Sequence, residues 1–311
     1  MKVLVTGGCG FIGSHLVERL IELGNNVVAI DNLSVSDCNV SSLKKLSACI
    51  YPYDISDYNS ISSLFDGVDM VFHLAAMNRA QRSIKNPLLA NASNITGTLN
   101  VLEASCKAGV SKFVNISSSS VYAGVRDRLL SEDMLLSPPH PYGVGKLAGE
   151  HYARIYWELY KLPTTTLRYF SVYGPRQLGD IENAGVIAKF IHCAFSGKPL
   201  TVYGDGEQKR NFTYVSDVVD ITIKAGLVNK TIGNIINVAN SREVSVNYLI
   251  SIIKKFIKRD IDVEYLPRIQ GDPERNPADI TKAKEILEFS PKVDFEEGIQ
   301  KTIEWYKEEC M

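Results

Sequence analysis

Tyr142 and Lys146 stand four residues apart in the run Tyr-Gly-Val-Gly-Lys, so a helix would carry a phenol and an ammonium on one face. A free phenol, with a pKa near 10, is too weakly ionised to serve as a base at neutral pH. A neighbouring ammonium stabilises the phenolate, and the charge of an oxidised nicotinamide would add to the effect. Lys146 could also hydrogen-bond a nicotinamide ribose. Just upstream, Ser117 to Ser120 offer hydroxyls that could hold a reacting oxygen. Alone, a Tyr-x-x-x-Lys pair is an ordinary exposed pair and a serine run an ordinary polar loop or helix cap.

The N-terminus supplies the missing partner. Residues 6–13 read Thr-Gly-Gly-Cys-Gly-Phe-Ile-Gly, with Gly7, Gly10 and Gly13 spaced three apart between a short apolar run and a helical pattern. Such a loop needs a tight turn, close backbone approach to a pyrophosphate and close packing of helix on strand, which is why glycine recurs. The positive end of the following helix then meets the phosphates. Asp31 ends the second apolar run, 18 residues past Gly13. Its carboxylate can accept from adenosine ribose hydroxyls and would repel a 2′-phosphate, so NAD is favoured over NADP. Asp54 with Ile55, and Leu74 with Ala75 and Ala76, fall at the carboxyl ends of later strands, where ligands sit in doubly wound sheets. A bound dinucleotide, a tyrosine base and a hydroxyl together describe hydride transfer at a carbinol carbon.

The elements that must position these groups follow from periodicity. Strands are expected at 3–5, 27–30, 68–74, 112–116 and 164–169, and helices at 11–23, 88–108 and 141–159, with weaker elements around 50–53 and 61–65. This alternation predicts an α/β fold, a doubly wound, Rossmann-like parallel sheet with helices on both faces. After about residue 170, Pro175, Gly179 and the Gly204-Asp205-Gly206 run punctuate shorter segments. The reading is a dinucleotide-binding domain over 1–170 and a smaller α/β substrate lobe over 171–311. Stretches within 212–240, namely 215–227 and 235–238, are candidates to return to the first domain.

Composition sets the outer bounds. With 311 residues and 45% hydrophobic content the chain can bury a large core. A formal net charge of −1 with dispersed cations excludes a global basic field for nucleic acid or anionic membrane. No apolar run reaches membrane-spanning length, and Met1-Lys2 leads directly into a strand without a signal peptide. The six cysteines (9, 38, 49, 106, 193 and 310) lack metal-ligand spacing and fit reduced thiols in a cytoplasmic protein. No metal is expected.

Several further motifs occur in order along nearly the whole length: TGGCGFIGS at 6–14, the serine run followed by Val121-Tyr122, YGVGK at 142–146, RYFSVYGPR at 168–176, Arg210 to Asp217, and Ala278-Asp279-Ile280. On these the chain resembles the extended short-chain dehydrogenase/reductases of the nucleotide-sugar epimerase/dehydratase family, most of all UDP-glucose/UDP-N-acetylglucosamine 4-epimerases. The resemblance implies Ser118, Tyr142 and Lys146 as the catalytic set. It implies NAD contacts from Gly7, Gly10, Phe11, Ile12, Gly13, Asp31, Asn32, Asp54, Ile55, Leu74, Ala75, Ala76, Asn94, Ser117, Tyr142, Lys146 and Tyr169. For the UDP-sugar it implies Ser118, Ser119, Tyr142, Ser171, Val186, Arg210 and Asn276, with Arg268 or Arg275 as a second diphosphate ligand. It further implies a homodimer formed through the helices at 88–108 and 141–159.

The implied reaction is oxidation of a sugar C4 hydroxyl by NAD. Related 4,6-dehydratases carry an acidic pair directly after the catalytic hydroxyl, and UDP-glucuronate decarboxylases a Glu; here Ser119 and Ser120 stand there. Without that carboxylate the simplest fate of the 4-ketone is return of hydride to its other face, which is 4-epimerisation. Asn276, three before Asp279, is smaller than the Tyr that crowds a C2 N-acetyl group, so UDP-GlcNAc/UDP-GalNAc are expected beside UDP-Glc/UDP-Gal. Ser171 replaces the usual Asn and Ala123 the usual Gly. Arg79 and Arg82, after the fourth strand, could face a substrate carboxylate or phosphate, which keeps UDP-glucuronate 4-epimerisation open. Decarboxylase, dehydratase and reductase activities are alternatives within the family; a non-catalytic NAD-binding regulatory protein is the alternative of another class.

Overall fold

The computed structural model describes residues 1–125, 128–179, 184–268, 274–275 and 277–309. Six strands form in order: β1 (Lys2–Thr6), β2 (Asn26–Ile30), β3 (Cys49–Tyr51), β4 (Met70–His73), β5 (Lys112–Ser118) and β6 (Thr164–Tyr169). With the Ile235–Val238 strand, which pairs with β6, they build one seven-stranded sheet, every pairing parallel. Its order is Ile235–Val238, β6, β5, β4, β1, β2, β3. The chain reverses direction of build between β1 and β4, the switch point where such sheets open a crevice at their carboxyl ends.

Side-chain alternation explains why these runs are strands buried on both faces. Val3, Val5, Val27, Ala29, Phe72, Val114 and Ile116 enter one core layer. Their neighbours Leu4, Val28, Ile30, Val71 and Phe113 enter the other. Helix α1 (Phe11–Glu22) buries Leu16, Val17 and Leu20 on the first layer, and Gly24 ends it at φ 78°. The Val215–Leu227 helix packs beside α1, so this segment and the Ile235–Val238 strand lie with the central sheet.

Two expected elements differ. The strand expected over 68–74 is only Met70–His73: Val68 closes a turn onto Phe65, while the Asp69 and Leu74 amides still bond the Lys2 and Thr6 carbonyls of β1 at its two ends. The helix expected over 88–108 divides into Pro87–Asn91, a wide π turn Ala92–Thr96, and Gly97–Lys107. That turn carries Asn94, whose buried amide is committed outside the helix, to both main-chain groups of Met77. Beyond β6, short strand pairs and the helices Val186–Phe195, Val246–Ile257 and Phe295–Glu309 complete the fold. Among the described residues no helix is long and apolar enough to cross a membrane, and no cluster of His, Cys, Asp or Glu could hold a metal ion.

Candidate active site

The carboxyl ends of β1, β2, β4, β5 and β6 open on one cleft of about 670 Å³. Gly7, Gly10, Phe11, Ile12 and Gly13 line one end, with Asp31, Asn32, Asp54 and Ile55. Ser118, Ser119, Tyr142, Lys146, Ser171, Val186 and Arg210 line the other. Leu74, Ala75, Ala76, Ser117 and Tyr169 lie between.

The dinucleotide end shows why glycine is required. Gly7 sits at φ 70°, and a Cβ there would lie 2.8 Å from the Ala75 nitrogen, so the two strand-end turns abut. A Cβ on Gly13 would collide with the Gly7 carbonyl. The first turn of a helix has N–H groups without intrahelical acceptors, and no side chain caps α1 at Gly10. That leaves an anion cradle at a helix N-terminus. Asp31 accepts from the Cys9 and Leu33 amides at 3.0 and 2.9 Å. Burial pushes its carboxyl above the ordinary range, opposed by those bonds and one from Gly10. Asn32 donates to Asp54 at 2.8 Å. Below the crevice, neutral His73 bridges Thr6 and Thr98 at 2.7 and 2.9 Å; burial, aided by Lys146, pushes its pKa down to about 3. Thr6 Oγ1 in turn accepts from the Ala75 amide at 3.2 Å, fixing the 74–76 turn. These features fit a dinucleotide: a cradle that any Cβ would fill, and an acidic group with acceptor capacity at the second strand.

The reactive end is built around the Pro141–Tyr160 helix. Pro141 is preset for the first helical turn, and His140 caps it by accepting from the Gly143 amide at 3.0 Å. Gly143 and Gly145, which motif reading passed over, are what let this helix dock. A Cβ on Gly143 would lie 2.8 Å from the Ser120 carbonyl, and one on Gly145 2.8 Å from Asn94 Cβ. Tyr142 and Lys146 therefore share a face over the end of β5. Ser118, extended at φ −150°, accepts from the Ser120 amide at 3.1 Å and lines the cleft with the Tyr142 phenol. Burial raises the phenol's pKa; the bond from Ser118 and the guanidinium of Arg79 oppose that rise. Lys146 donates to the Ile116 carbonyl at 2.7 Å, and burial pushes its ammonium down to about 8 against the attraction of Glu150. The charge that opposes the phenol's rise comes from Arg79, on the turn after β4, which the Tyr-x-x-x-Lys spacing does not reveal.

A buried charge pair holds this arrangement. Arg168 of β6 grips both Glu150 oxygens, at 2.9 and 2.7 Å, with both side chains almost fully enclosed. Glu150 also accepts from Ser117 at 2.5 Å, and Arg168 donates to the Tyr122 hydroxyl at 2.6 Å. One network thereby ties β5, β6 and the Pro141–Tyr160 helix immediately beneath Ser118.

Other expected residues are placed differently. Asn94 does not line the cleft; its amide holds Met77 in the turn after β4. Ser117 reaches the cleft wall but spends its hydroxyl on Glu150, and the Tyr169 hydroxyl is bonded to Thr222 at 2.5 Å. Arg268 and Arg275, the two candidates for a second diphosphate contact, lie outside the described lining and pair with Glu274 and Glu243. Asn276 lies outside the described residues.

Comparison with known proteins agrees with this geometry. Residues 3–239 match the family model of the NAD dependent epimerase/dehydratase family. The chain is 36% identical, over 98% of itself and 96% of the relative, to a UDP-glucuronate 4-epimerase of Thermodesulfobacterium geofontis. Among solved structures it matches the UDP-glucose 4-epimerase of Thermotoga maritima with UDP-glucose, at TM-score 0.94 and 36% identity over 100% of both chains. It also matches the UDP-glucuronic acid 4-epimerase of Bacillus cereus in complex with UDP-glucuronic acid and NAD, at TM-score 0.91 and 36% identity over 99% of both chains. With a glycine cradle, a carboxylate at the end of the second strand and a Ser, Tyr and Lys cluster on one parallel sheet, the chain belongs to the NAD-dependent epimerase/dehydratase family.

Proposed function

We propose that the chain catalyses reversible C4 epimerisation of a UDP-hexose, UDP-Glc/UDP-Gal and also UDP-GlcNAc/UDP-GalNAc. NAD, held by the loop from Gly7 to Gly13 and by Asp31, would accept and return hydride at C4. Tyr142 takes the O4 proton on its phenolate oxygen, and the Ser118 hydroxyl holds the same oxygen through its change from alcohol to ketone and back. Lys146, anchored on Ile116, fixes the face of the helix that presents Tyr142. Reprotonation of O4 by Tyr142 completes the cycle, so proton and hydride both return and no cofactor is consumed. Arg210 is the diphosphate ligand on this reading, with residues 1–170, joined by the 215–227 and 235–238 segments, carrying NAD and the rest of 171–311 forming the nucleotide-sugar lobe.

The observation that carries the reading is where carboxylates are. Among the described residues lining the cleft, the only carboxylates are Asp31 and Asp54, both at the dinucleotide end. Dehydration across C5 and C6 needs acid–base groups beside the sugar, and here Ser119 and Ser120 occupy the positions after Ser118. A second reading, UDP-glucuronate 4-epimerisation, is supported by Arg79 and Arg82, which line the cleft and could meet a C6 carboxylate. Incubation of the purified protein with a panel of UDP-sugars, followed by separation of C4 epimers, tests both. Turnover of UDP-Glc without UDP-GlcNAc sinks the wider specificity, and exclusive turnover of UDP-glucuronate favours the second reading. We further propose a homodimer, supported by exposed apolar side chains on the implied helices: Leu88, Leu89, Leu159 and Tyr160.

A further inference from the structure

Arg79 holds a backbone conformation that residues with a Cβ avoid, φ 75° and ψ 130°, at the turn between β4 and the Ala80–Lys85 helix. Glycine would relieve that strain, and strain of this kind concentrates where a side chain must be aimed. Here it aims a guanidinium into the cleft. A Cβ built on Gly185 would lie 3.3 Å from Arg79 Nη2 and 3.2 Å from Gln177 Nε2. Among the described residues no carboxylate pairs with Arg79; burial disfavours its charge, and Tyr142 is the acidic group acting on it.

The same turn is tied to the catalytic helix. Buried Ser83 donates its amide to the Arg79 carbonyl at 3.1 Å, and its hydroxyl accepts from the Tyr142 amide at 3.0 Å. Arg79 and Tyr142 are therefore held in one frame, two hydrogen bonds apart.

Several other polar groups around Tyr142 are committed elsewhere. From β5, Ser118 Oγ accepts from the Ser120 amide and opposes the rise in the phenol's pKa. On its own helix Lys146 is bonded to Ile116, and Glu150, one turn further, is taken by Arg168. His140, stacked on the Tyr142 ring at 6.3 Å, is kept neutral by burial. From the loop beyond β6, Gln177 donates to Val172 and Arg176 pairs with Glu18 at 2.6 Å. Arg82 reaches the cleft from the Ala80–Lys85 helix.

We propose that Arg79 is a positioning cation for the base: its guanidinium, aimed into the shared cleft by a strained turn, holds Tyr142 in the phenolate form. This rests on Tyr142 being the base of the proposed epimerisation.

The test compares wild type with Arg79→Gln, Arg79→Lys, Arg79→Gly and Tyr142→Phe, all NAD-loaded. It reads kcat and KM against pH, and the phenolate absorbance lost in Tyr142→Phe. Arg79→Gln should move the acidic limb of kcat and the phenolate titration upward by about one unit. That makes it about tenfold slower at neutral pH, with recovery at high pH and KM within about twofold. Arg79→Lys should restore part of the shift. Arg79→Gly should behave as Arg79→Gln kinetically while melting no lower than wild type. A raised KM for the UDP-sugar with an unmoved acidic limb overturns the proposal and makes Arg79 a substrate-anion ligand. A rate loss that tracks melting temperature across all three variants overturns it as well. If Tyr142→Phe keeps its full rate, the base assignment and this proposal fall together; an inactive Tyr142→Phe beside an unmoved Arg79→Gln limb sinks this proposal alone.

Discussion

A buried phenol resists ionisation, so Tyr142 can serve as a base only where its surroundings favour the phenolate. Ser118 and Arg79 do so in the protein alone. Removing the phenolic oxygen in Tyr142→Phe should lower turnover about 10²- to 10⁴-fold, the usual scale of a lost general base. NAD affinity, read by titration calorimetry, should stay within a few-fold. The second buried group carries a pH signature. Lys146 has its pKa pushed down from 10.5 to about 8, so between these values the unfolded chain holds a proton that the folded chain has released. Stability should therefore rise with pH across that window, by on the order of 3 kcal/mol. Denaturant unfolding at a series of pH values should show this rise, and Lys146→Met should flatten it. A rise that survives in Lys146→Met would place its source elsewhere.

At the scale of elements, two helices do most of the positioning, and glycine decides how each seats. α1 reaches β1 because Gly13 can touch the Gly7 carbonyl. Gly13→Ala should abolish NAD binding while circular dichroism still reports a folded sheet. The Pro141–Tyr160 helix is pinned by Glu150 to Arg168, and breaking a buried ion pair strands a charge. Glu150→Gln should cost about 3–5 kcal/mol of unfolding free energy, and the loss of the Ser117 and Arg168 bonds should loosen Ser118 as well. Much of this was legible beforehand. β6 falls where its Thr-rich apolar run puts it, and α1 starts where Gly10 and Phe11 put it, because local periodicity and the glycine spacing report directly on backbone needs. The break at Ala92–Thr96 was not legible, since its cause is a contact between Asn94 and Met77 in the turn after β4, invisible to periodicity. Nor was Arg79 readable as the phenol's cation, since spacing along one helix carries no information about a turn that approaches from another strand. Arg268 and Arg275 show the converse limit: a basic residue at a plausible spacing can equally satisfy a nearby carboxylate, as both do here.

Over the whole molecule, charge is distributed along the cleft with its acids at one end. Asp31 and Asp54 face the dinucleotide end; Arg79, Arg82, Lys146, Arg176 and Arg210 lie along the cleft wall. A polyanionic nucleotide sugar would therefore find complementary charge at the end where hydroxyl and phenol converge. Exposed Leu88, Leu89, Leu159 and Tyr160 should be covered by a second copy, so light scattering after size exclusion should give twice the chain mass, and Leu88→Lys with Leu159→Lys should give the monomer. The most direct measurement of the central claim is incubation of purified protein with UDP-glucose alone, with chromatographic separation of UDP-galactose. Epimer should accumulate to a fixed ratio, reached from either sugar, with many turnovers per bound NAD. A panel in which no UDP-sugar yields its C4 epimer, or turnover that loses water or carbon dioxide or consumes one NAD per product, would contradict it.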